Sequence, residues 1–257
     1  MDTVLPKLSA VSRRVILAPV TTRGEVEEAE PSARRSPGRP AVPLDRIVAA
    51  ALQIVDDEGA EALSMRALAQ RLDSGTATLY RHFPNRAALI AHVVDRVFGE
   101  VDLNSEVLGV ARWRQACQTL AQAMFDALSR HKNVAPLLVE HVPIGPNAMA
   151  LRERGIALLL DNGFPEHLAV RAYATLSHFV LGFAIQLRGD SAAGQVDDAR
   201  LSALFRGLDP SEFPATAAVA DSMPVPLQDE FAFGLELILE GLSHLRGRRR
   251  RRRTASR

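Results

Sequence analysis

Apolar side chains recur at steps of three and four residues along most of the chain, which is the spacing of one face of an α-helix. This pattern predicts helices over 44–59, 64–72, 76–83, 86–99, 111–130, 134–141, 147–162, 166–188 and 227–245. The alternation of apolar and polar residues that marks a half-buried strand persists nowhere, and no repeat of about 20–50 residues is present. The sequence therefore predicts an all-α fold.

Breaks in this pattern divide the chain into four parts. Residues 1–43 contain six prolines and no sustained periodicity, so we expect a disordered extension ending in a basic, proline-containing arm. Residues 44–100 predict a set of short helices, and residues 101–245 predict a domain of long helices. Within that domain, the composition of 190–226 predicts a long mobile loop with a helix near 197–206. Residues 246–257 predict a disordered, arginine-rich tail.

The formal net charge of +1 over 257 residues conceals an uneven distribution. Residues 101–245 carry a net charge of −7, whereas residues 246–257 carry +8. The chain-wide basic character of many nucleic-acid-binding proteins is therefore absent, and any such signal has to be local. It is found in the tail and at 64–86, where four arginines accompany one acidic residue, Asp73.

Several classes of protein are excluded by composition and motif. The single cysteine, Cys117, rules out an intrachain disulfide framework and a Cys-rich zinc site. No uninterrupted apolar run approaches the ~18 residues of a membrane span, and Val15–Val20 is too short for a signal peptide. Because phosphate-loop, zinc-protease and nucleophile-elbow motifs are also missing, we expect neither an enzyme nor a cofactor or metal site. These features predict a cytoplasmic protein that has no membrane partner.

The stretch 64–82, SMRALAQRLDSGTATLYRH, carries the strongest functional signal. Ser64 is a good N-cap for a helix of about two turns, and the turn-forming cluster at 73–75 precedes a second short helix. This is the plan of a helix-turn-helix, whose second helix lies in the major groove of DNA. Thr76, Ala77 and Thr78 are small enough for the second helix to approach base edges closely.

The second helix of this motif has an inner and an outer side. Leu79 and Phe83 are four residues apart and are predicted to face the protein interior. The remaining side chains supply polar groups for the phosphate backbone, namely Tyr80, Arg81, His82 and Arg86.

These residues resemble the motifs of a known family. The segments Ala67-Leu-Ala-Gln-Arg-Leu72, Thr78-Leu-Tyr-Arg-His-Phe83 and Asn85-Arg-Ala-Ala-Leu89 are similar to the DNA-binding domain of TetR-family transcriptional regulators. The resemblance covers 44–95 and implies an N-terminal three-helix helix-turn-helix domain, over 44–100, that binds a palindromic operator in double-stranded DNA. From the resemblance and the chemistry above, the DNA-binding candidates are Arg39, Ser64, Arg66, Thr76, Ala77, Thr78, Tyr80, Arg81, His82 and Arg86.

The turn of the motif departs from the family pattern at two places. Asp73-Ser74 stands where the family commonly has Gly-Val, and Gly75 stands where a capping Ser is common. Asp tolerates the left-handed backbone better than most residues, and Gly replaces a capping Ser at a cost of a few tenths of a kcal/mol. We therefore expect the turn to form.

The second half of the chain resembles the C-terminal domain of the tetracycline-repressor branch of this family. The similar segments are Asp161-Asn-Gly-Phe164, Ser177-His-Phe-Val-Leu-Gly182 and Phe233-Gly-Leu-Glu-Leu-Ile238. The resemblance implies a helical ligand-binding and dimerisation domain, in which the last two long helices pair with a second subunit. It also implies a pocket inside each subunit for a small-molecule effector.

The tetracycline-binding positions are occupied differently in this chain. Tetracycline-binding members hold a magnesium chelate with polar side chains, whereas Asp102, Leu120, Met124, Leu138, Gly155 and Gln186 stand in those places and His141 lies nearby. Because a pocket that lacks its hydrogen-bonding partners rejects its ligand, we expect a hydrophobic effector other than tetracycline, or none. The ligand-binding candidates are Trp113, Cys117, Leu120, Met124, Leu138, His141, Gly155, His178 and Gln186.

Plainer interpretations stand beside several of these roles. His178 also fits a histidine of the core or the dimer interface, and Trp113 and Cys117 also fit core packing. Arg39 fits either a minor-groove contact or a linker, and the arginine tail fits either a phosphate-binding segment or a solvated end.

Three functions follow from these interpretations. The first is a homodimeric regulator, most simply a repressor, which a ligand releases from DNA. The alternatives are a constitutive DNA-binding protein without an effector and a small-molecule-binding helical protein whose helix-turn-helix is vestigial.

Overall fold

A computed structural model of the protein describes residues 14–15, 42–101, 112–187 and 192–255. The first described helices are α1 (Leu44–Glu58), α2 (Met65–Arg71), α3 (Thr76–Tyr80) and α4 (Arg86–Gly99). After them come α5 (Trp113–Arg130), α6 (Leu137–Glu140), α7 (Pro146–Asp161), α8 (Glu166–Gln186), α9 (Ala192–Arg206), α10 (Pro214–Ala218) and α11 (Leu227–Ala255). Single 3-10 turns occupy Ala60–Ala62 and Ala220–Ser222. The prediction of an all-α fold is confirmed.

Helices α1 to α4 share one apolar core, to which Ile47, Leu68 and Leu89 contribute fully buried side chains. Their ends are fixed by local hydrogen bonds. The Ala67 N–H donates to Ser64 Oγ at 3.1 Å, so Ser64 caps α2 as predicted. The Ala88 N–H donates to Asn85 Oδ1 at 2.9 Å in the same way and starts α4. Two of the short helices therefore begin at residues that the sequence itself specifies, Ser64 and Asn85.

The longer helices pack around an aromatic cluster between α5, α8 and α11. Phe125 stacks on Phe231 with ring centroids 4.2 Å apart and planes inclined by 11°. Phe179 and Phe183 of α8 complete the cluster at 5.3 and 5.6 Å from Phe231. Helix α7 packs against α4, α5 and α8, so it links the N-terminal helices to this bundle.

The structure corrects two sequence predictions in the second half of the chain. Helix α11 does not end at 245 but continues through the arginine run to Ala255, where we predicted a disordered tail. Arginine has a high helix propensity, which favours this continuation. The region 190–226, predicted as a loop with one helix near 197–206, contains α9, α10 and a 3-10 turn. Its alanines favour these short helices over an open loop.

Two residues of the predicted disordered extension also have a defined place. Arg14–Val15 forms a two-residue parallel bridge with His141–Val142, with Arg14 opposite His141 and Val15 opposite Val142. The other residues of 1–41, including the predicted DNA contact Arg39, lie outside the described residues.

Candidate DNA-binding surface and effector cavity

The turn between α2 and α3 forms as the sequence predicts. Asp73 adopts a left-handed conformation with φ of 47°, and the Ser74 N–H donates to the Ala69 carbonyl at 2.9 Å. Gly75 precedes α3 without a side-chain hydrogen bond, because it has no hydroxyl to cap the helix. The helix-turn-helix geometry is therefore kept despite the two departures from the family pattern.

Helix α3 has one buried side and one exposed side. Leu79 and Phe83 have no exposed surface, which confirms that they face the interior. Tyr80 is 55% exposed, so its ring and hydroxyl are available to a partner outside the chain. Most predicted DNA contacts lie exposed or half-exposed on the same part of the surface, namely Ser64, Arg66, Thr76, Ala77, Thr78, Tyr80, Arg81 and His82.

Arg86 has a different place from the one predicted. Its Nε donates to the Leu63 carbonyl and its Nη2 to the Ala60 carbonyl, each at 2.6 Å. The guanidinium thus satisfies two carbonyls of the segment between α1 and α2. We therefore correct its role from DNA contact to internal support of the motif. Arg71 of α2, another of the four arginines in 64–86, pairs with Glu58 of α1 at 2.9 Å and joins the two helices.

A cavity of about 310 Å³ lies between α4, α5, α7 and α8. Its walls are mostly apolar, and the predicted ligand-binding residues Met124, Leu138 and His178 line it. A smaller adjoining space of about 30 Å³ is lined by Cys117, Leu120 and Gly155, with Met124 common to both. Six of the nine predicted ligand-binding residues therefore meet at one place.

The other predicted ligand-binding residues lie elsewhere. Trp113 packs edge-on against Phe164 at 4.9 Å and lies beneath the Arg246 guanidinium, so it belongs to the core and not to the cavity. Gln186 is exposed near the end of α8 and bonds weakly to the Gly182 carbonyl. The side chain of His141 and all of Asp102 lie outside the described residues.

Asp95 joins the DNA-binding helices to the wall of the cavity. It lies on α4, is 8% exposed and is the one charged residue among the described residues that is classed as buried. Its carboxylate accepts hydrogen bonds from the Ala148 N–H at 3.0 Å and from Asn147 Nδ2 at 3.1 Å. It thereby caps the first turn of α7. A Cβ at Gly145 would overlap this carboxyl group, so glycine is required there.

A second polar link lies at the end of α5. The His131 Nδ1 is 2.8 Å from an Asp56 carboxylate oxygen on α1, and its Nε2 is 3.0 Å from a Glu100 carboxylate oxygen beyond α4. Burial raises the pKa of Asp56, and the hydrogen bond and charge of His131 oppose that rise.

Sequence reasoning missed several residues of these sites. Arg152 and Tyr173 line the cavity, and Asp95 connects it to α4. Arg152 and Tyr173 follow the helical spacing of their helices, but the side of each helix that faces the cavity depends on its neighbours. The signal for Asp95 is a carboxylate that directly follows two apolar residues, Val93 and Val94, of the inward-facing pattern.

The described residues contain no group of three or more His, Cys, Asp or Glu side chains arranged to hold a metal ion. Helix α8 is long and apolar enough to cross a membrane by length and composition, unlike our expectation from uninterrupted apolar runs. Its residues pack against α5, α7 and α11, which is the behaviour of a helix within a bundle.

An exposed helix-turn-helix joined to a helical domain with a cavity is the arrangement of a DNA-binding regulator. Residues 47–93 match the family model of bacterial regulatory proteins of the tetR family, and residues 108–246 match the tetracyclin repressor-like C-terminal domain. The chain belongs to the TetR family of transcriptional regulators.

Characterised relatives support the same assignment. The chain is 33% identical to the transcriptional repressor DrrR1 of Streptomyces coeruleorubidus, over 82% of this chain and 81% of that protein. It is 28% identical to the class E tetracycline repressor of Escherichia coli, over 78% of this chain and 90% of the repressor.

Solved structures agree with these relatives. Apo ActR of Streptomyces coelicolor has a TM-score of 0.73 and 32% identity, over 82% of this chain and 99% of ActR. ActR in complex with actinorhodin has a TM-score of 0.71 and 34% identity, over 80% and 100% of the two chains. The TetR-family and DNA-binding predictions are thereby confirmed.

Proposed function

We propose that this protein is a homodimeric repressor that binds a palindromic operator and is released by a small, mainly apolar ligand other than tetracycline. The observation that carries the proposal is that one chain combines a mostly apolar cavity with the exposed helix α3, which we call the reading helix because it would lie in the major groove. The likeness to ActR, whose structure with actinorhodin is known, supports a ligand in this position. A cytoplasmic location is the natural setting for a protein that acts on DNA.

The dimer is supported by apolar side chains that the single chain leaves uncovered. Phe233 and Leu237 of α11 are 67% and 58% exposed, and Val170 of α8 is 55% exposed. Helices α8 and α11 pack on one another, so a second copy would cover both in a four-helix arrangement. Two reading helices then reach half-sites about one helical turn (~34 Å) or somewhat more apart.

Release of DNA is supported by the contacts that join the cavity to the reading helices. Phe98 of α4 and Leu151 of α7 line the cavity, and the Asp95 carboxylate fixes α4 to the start of α7. A ligand that prefers a different spacing of α4 and α7 would therefore change the separation of the two reading helices. It lowers operator affinity only by the difference between its affinities for the two states.

The test is fluorescence anisotropy with DNA from upstream of the protein's own gene, with scrambled DNA as the control. We expect at least ~10³-fold preference for the operator. Weak binding that is equal for both DNAs and vanishes with salt would favour a constitutive protein that binds through its arginine tail. Ligand binding without DNA preference would instead favour a vestigial helix-turn-helix.

The dimer is tested separately by sedimentation velocity. Phe233→Asp together with Leu237→Asp places two charges in the proposed interface and should give a monomer, whereas Arg200→Ala on α9 should leave the dimer intact. A wild-type monomer at micromolar concentration would contradict this part of the proposal.

A further inference from the structure

Arg152 is the one formally charged side chain among the described residues that line the cavity. The floor is formed by apolar residues such as Met124, Leu138, Leu151 and Val180. The basic residues of the lining are Arg152 and His178, and among the described residues no aspartate or glutamate lines the cavity. The cavity therefore has an apolar body and a positive edge.

Arg152 lines the cavity and, like Arg86, has only neutral partners among the described residues. Its Nη2 donates to the Pro143 carbonyl at 3.3 Å and its Nη1 lies 2.9 Å from the Met149 sulfur, and both partners are neutral. By contrast, Arg114 pairs with Glu236 and Glu240, and Arg206 pairs with Asp221. Among the described residues, no carboxylate lies within 4.0 Å of the Arg152 guanidinium.

The geometry also fixes where a charged group of a ligand would sit. Pro143 and Arg152 both line the cavity, so the bond between them holds the guanidinium at its edge. Tyr173, Ser177 and His178 lie on the neighbouring side of α8 and add further polar groups there. A guanidinium held by weak, neutral acceptors retains donors for an anion and exchanges them at little cost.

We propose that the effector is an organic anion with a flat or compact apolar body and one carboxylate or phenolate, which Arg152 binds at the edge of the cavity. This inference rests on the proposed ligand-responsive function and adds the charge of the ligand. A cation of the same shape is disfavoured because it would meet the Arg152 guanidinium and no carboxylate among the described lining residues. A neutral molecule of the same shape fills the apolar part of the cavity but makes no ion pair with Arg152.

The test uses two fluorescent probes that share one aromatic body. The probe 8-anilinonaphthalene-1-sulfonate is anionic, and N-phenyl-1-naphthylamine is the same ring system without the sulfonate. We expect the full-length protein to bind both, and Arg152→Gln to weaken binding of the anionic probe by roughly tenfold or more. The same variant should change binding of the neutral probe by less than about twofold, since only one probe interacts with the guanidinium.

Control variants separate the cavity from other surfaces. Arg154→Gln removes the same charge from an exposed position of α7 and should change neither affinity. Ala174→Trp fills part of the cavity and should weaken binding of both probes. The melting temperature of Arg152→Gln should match that of the wild type, which shows that the variant is folded.

The outcomes distinguish this inference from the proposed function. If Arg152→Gln weakens both probes equally, or neither, while Ala174→Trp blocks both, the anion inference is wrong and the ligand cavity stands. If neither probe binds the wild-type protein, or Ala174→Trp has no effect, both the anion inference and the ligand-responsive function are overturned. Loss of operator binding alone would concern only the DNA-binding part of the proposed function.

Discussion

Tyr80 and Arg81 are exposed at the end of α3, and the packing of the protein itself does not require either side chain. We predict that Tyr80→Ala or Arg81→Ala weakens operator binding by about 1–3 kcal/mol, because each loses a hydrogen bond to a charged phosphate. The double variant should lose specific binding altogether. Anisotropy measures the affinity, and an unchanged melting temperature shows that the fold is intact.

The matched control is Arg200→Ala, which removes the same charge from an exposed position of α9. It should bind the operator like the wild type. Unchanged binding in the Tyr80 and Arg81 variants would refute the assigned docking of α3.

Cys117 is 4% exposed, and burial raises the pKa of its thiol to about 12. Because the folded pKa lies above the unfolded value, the stabilising contribution of the neutral thiol is complete below about pH 9. It is lost as the pH rises towards 12. We predict that a disulfide reagent such as Ellman's reagent reacts slowly with the native protein at pH 8 and completely in guanidinium chloride. Rapid reaction of the native protein would show that the helices around Cys117 open readily.

At the scale of elements, Asp95 caps α7 from α4. We predict that Asp95→Ala lowers the free energy of unfolding by about 2–4 kcal/mol, because buried N–H groups lose their acceptor and the helix loses its cap. Chemical denaturation measures this loss. Glu153→Ala, at an exposed position of α7, should change the stability by less than about 0.5 kcal/mol. Equal losses in the two variants would mean that the carboxylate is not the relevant contact.

His131 links α5 to the DNA-binding helices through the carboxylates of Asp56 and Glu100. In His131→Ala, Asp56 loses the partner that opposes its raised pKa, so its folded pKa rises further. A raised carboxylate pKa means that stability is lost as the pH rises through it. We therefore predict that the variant is destabilised by about 1–3 kcal/mol at pH 7 and by less near pH 4. A loss that is the same at both pH values would show that the link depends on shape and not on charge.

At the scale of the whole molecule, the two ends of the charge distribution have opposite effects on DNA binding. The net charge of −7 on residues 101–245 repels DNA, whereas the net charge of +8 on residues 246–257 attracts it. We predict that a chain ending at residue 246 keeps its preference for the operator but loses general affinity for DNA. The slope of log affinity against log salt should fall by about 0.9 for each phosphate contact that the tail supplies. Titrations at several salt concentrations measure this slope for operator and scrambled DNA. An unchanged slope would show that the tail does not contact DNA.

The sequence predicted the reading motif well because its determinants are local. Ser64, Asp73 and Leu79 each act within one helix or turn, and each has the predicted role in the structure. It predicted the cavity only in part, because Trp113 and Gln186 lie on sides of their helices that face elsewhere. Which side faces a cavity is decided by helices that are distant in sequence.

Contacts over long sequence separations were beyond prediction for the same reason. Arg86 bonds to carbonyls more than twenty residues away, and its residue type alone suggests phosphate binding equally well. The position of the Arg152 guanidinium depends on its hydrogen bond to the Pro143 carbonyl. The role of Asp95 depends on the N–H donors of Asn147 and Ala148. None of these pairs follows from periodicity or composition.

The fit of Asp95 against Gly145 constrains how related chains can vary. The carboxyl group occupies the space of the missing Cβ, so neither position can enlarge while the other stays the same. The two positions should therefore change together during divergence. A relative with a side chain at the position of Gly145 should have a residue shorter than aspartate at the position of Asp95, and should start the cavity-wall helix with a cap of its own. Such covariation would trace this contact through the family without any structure.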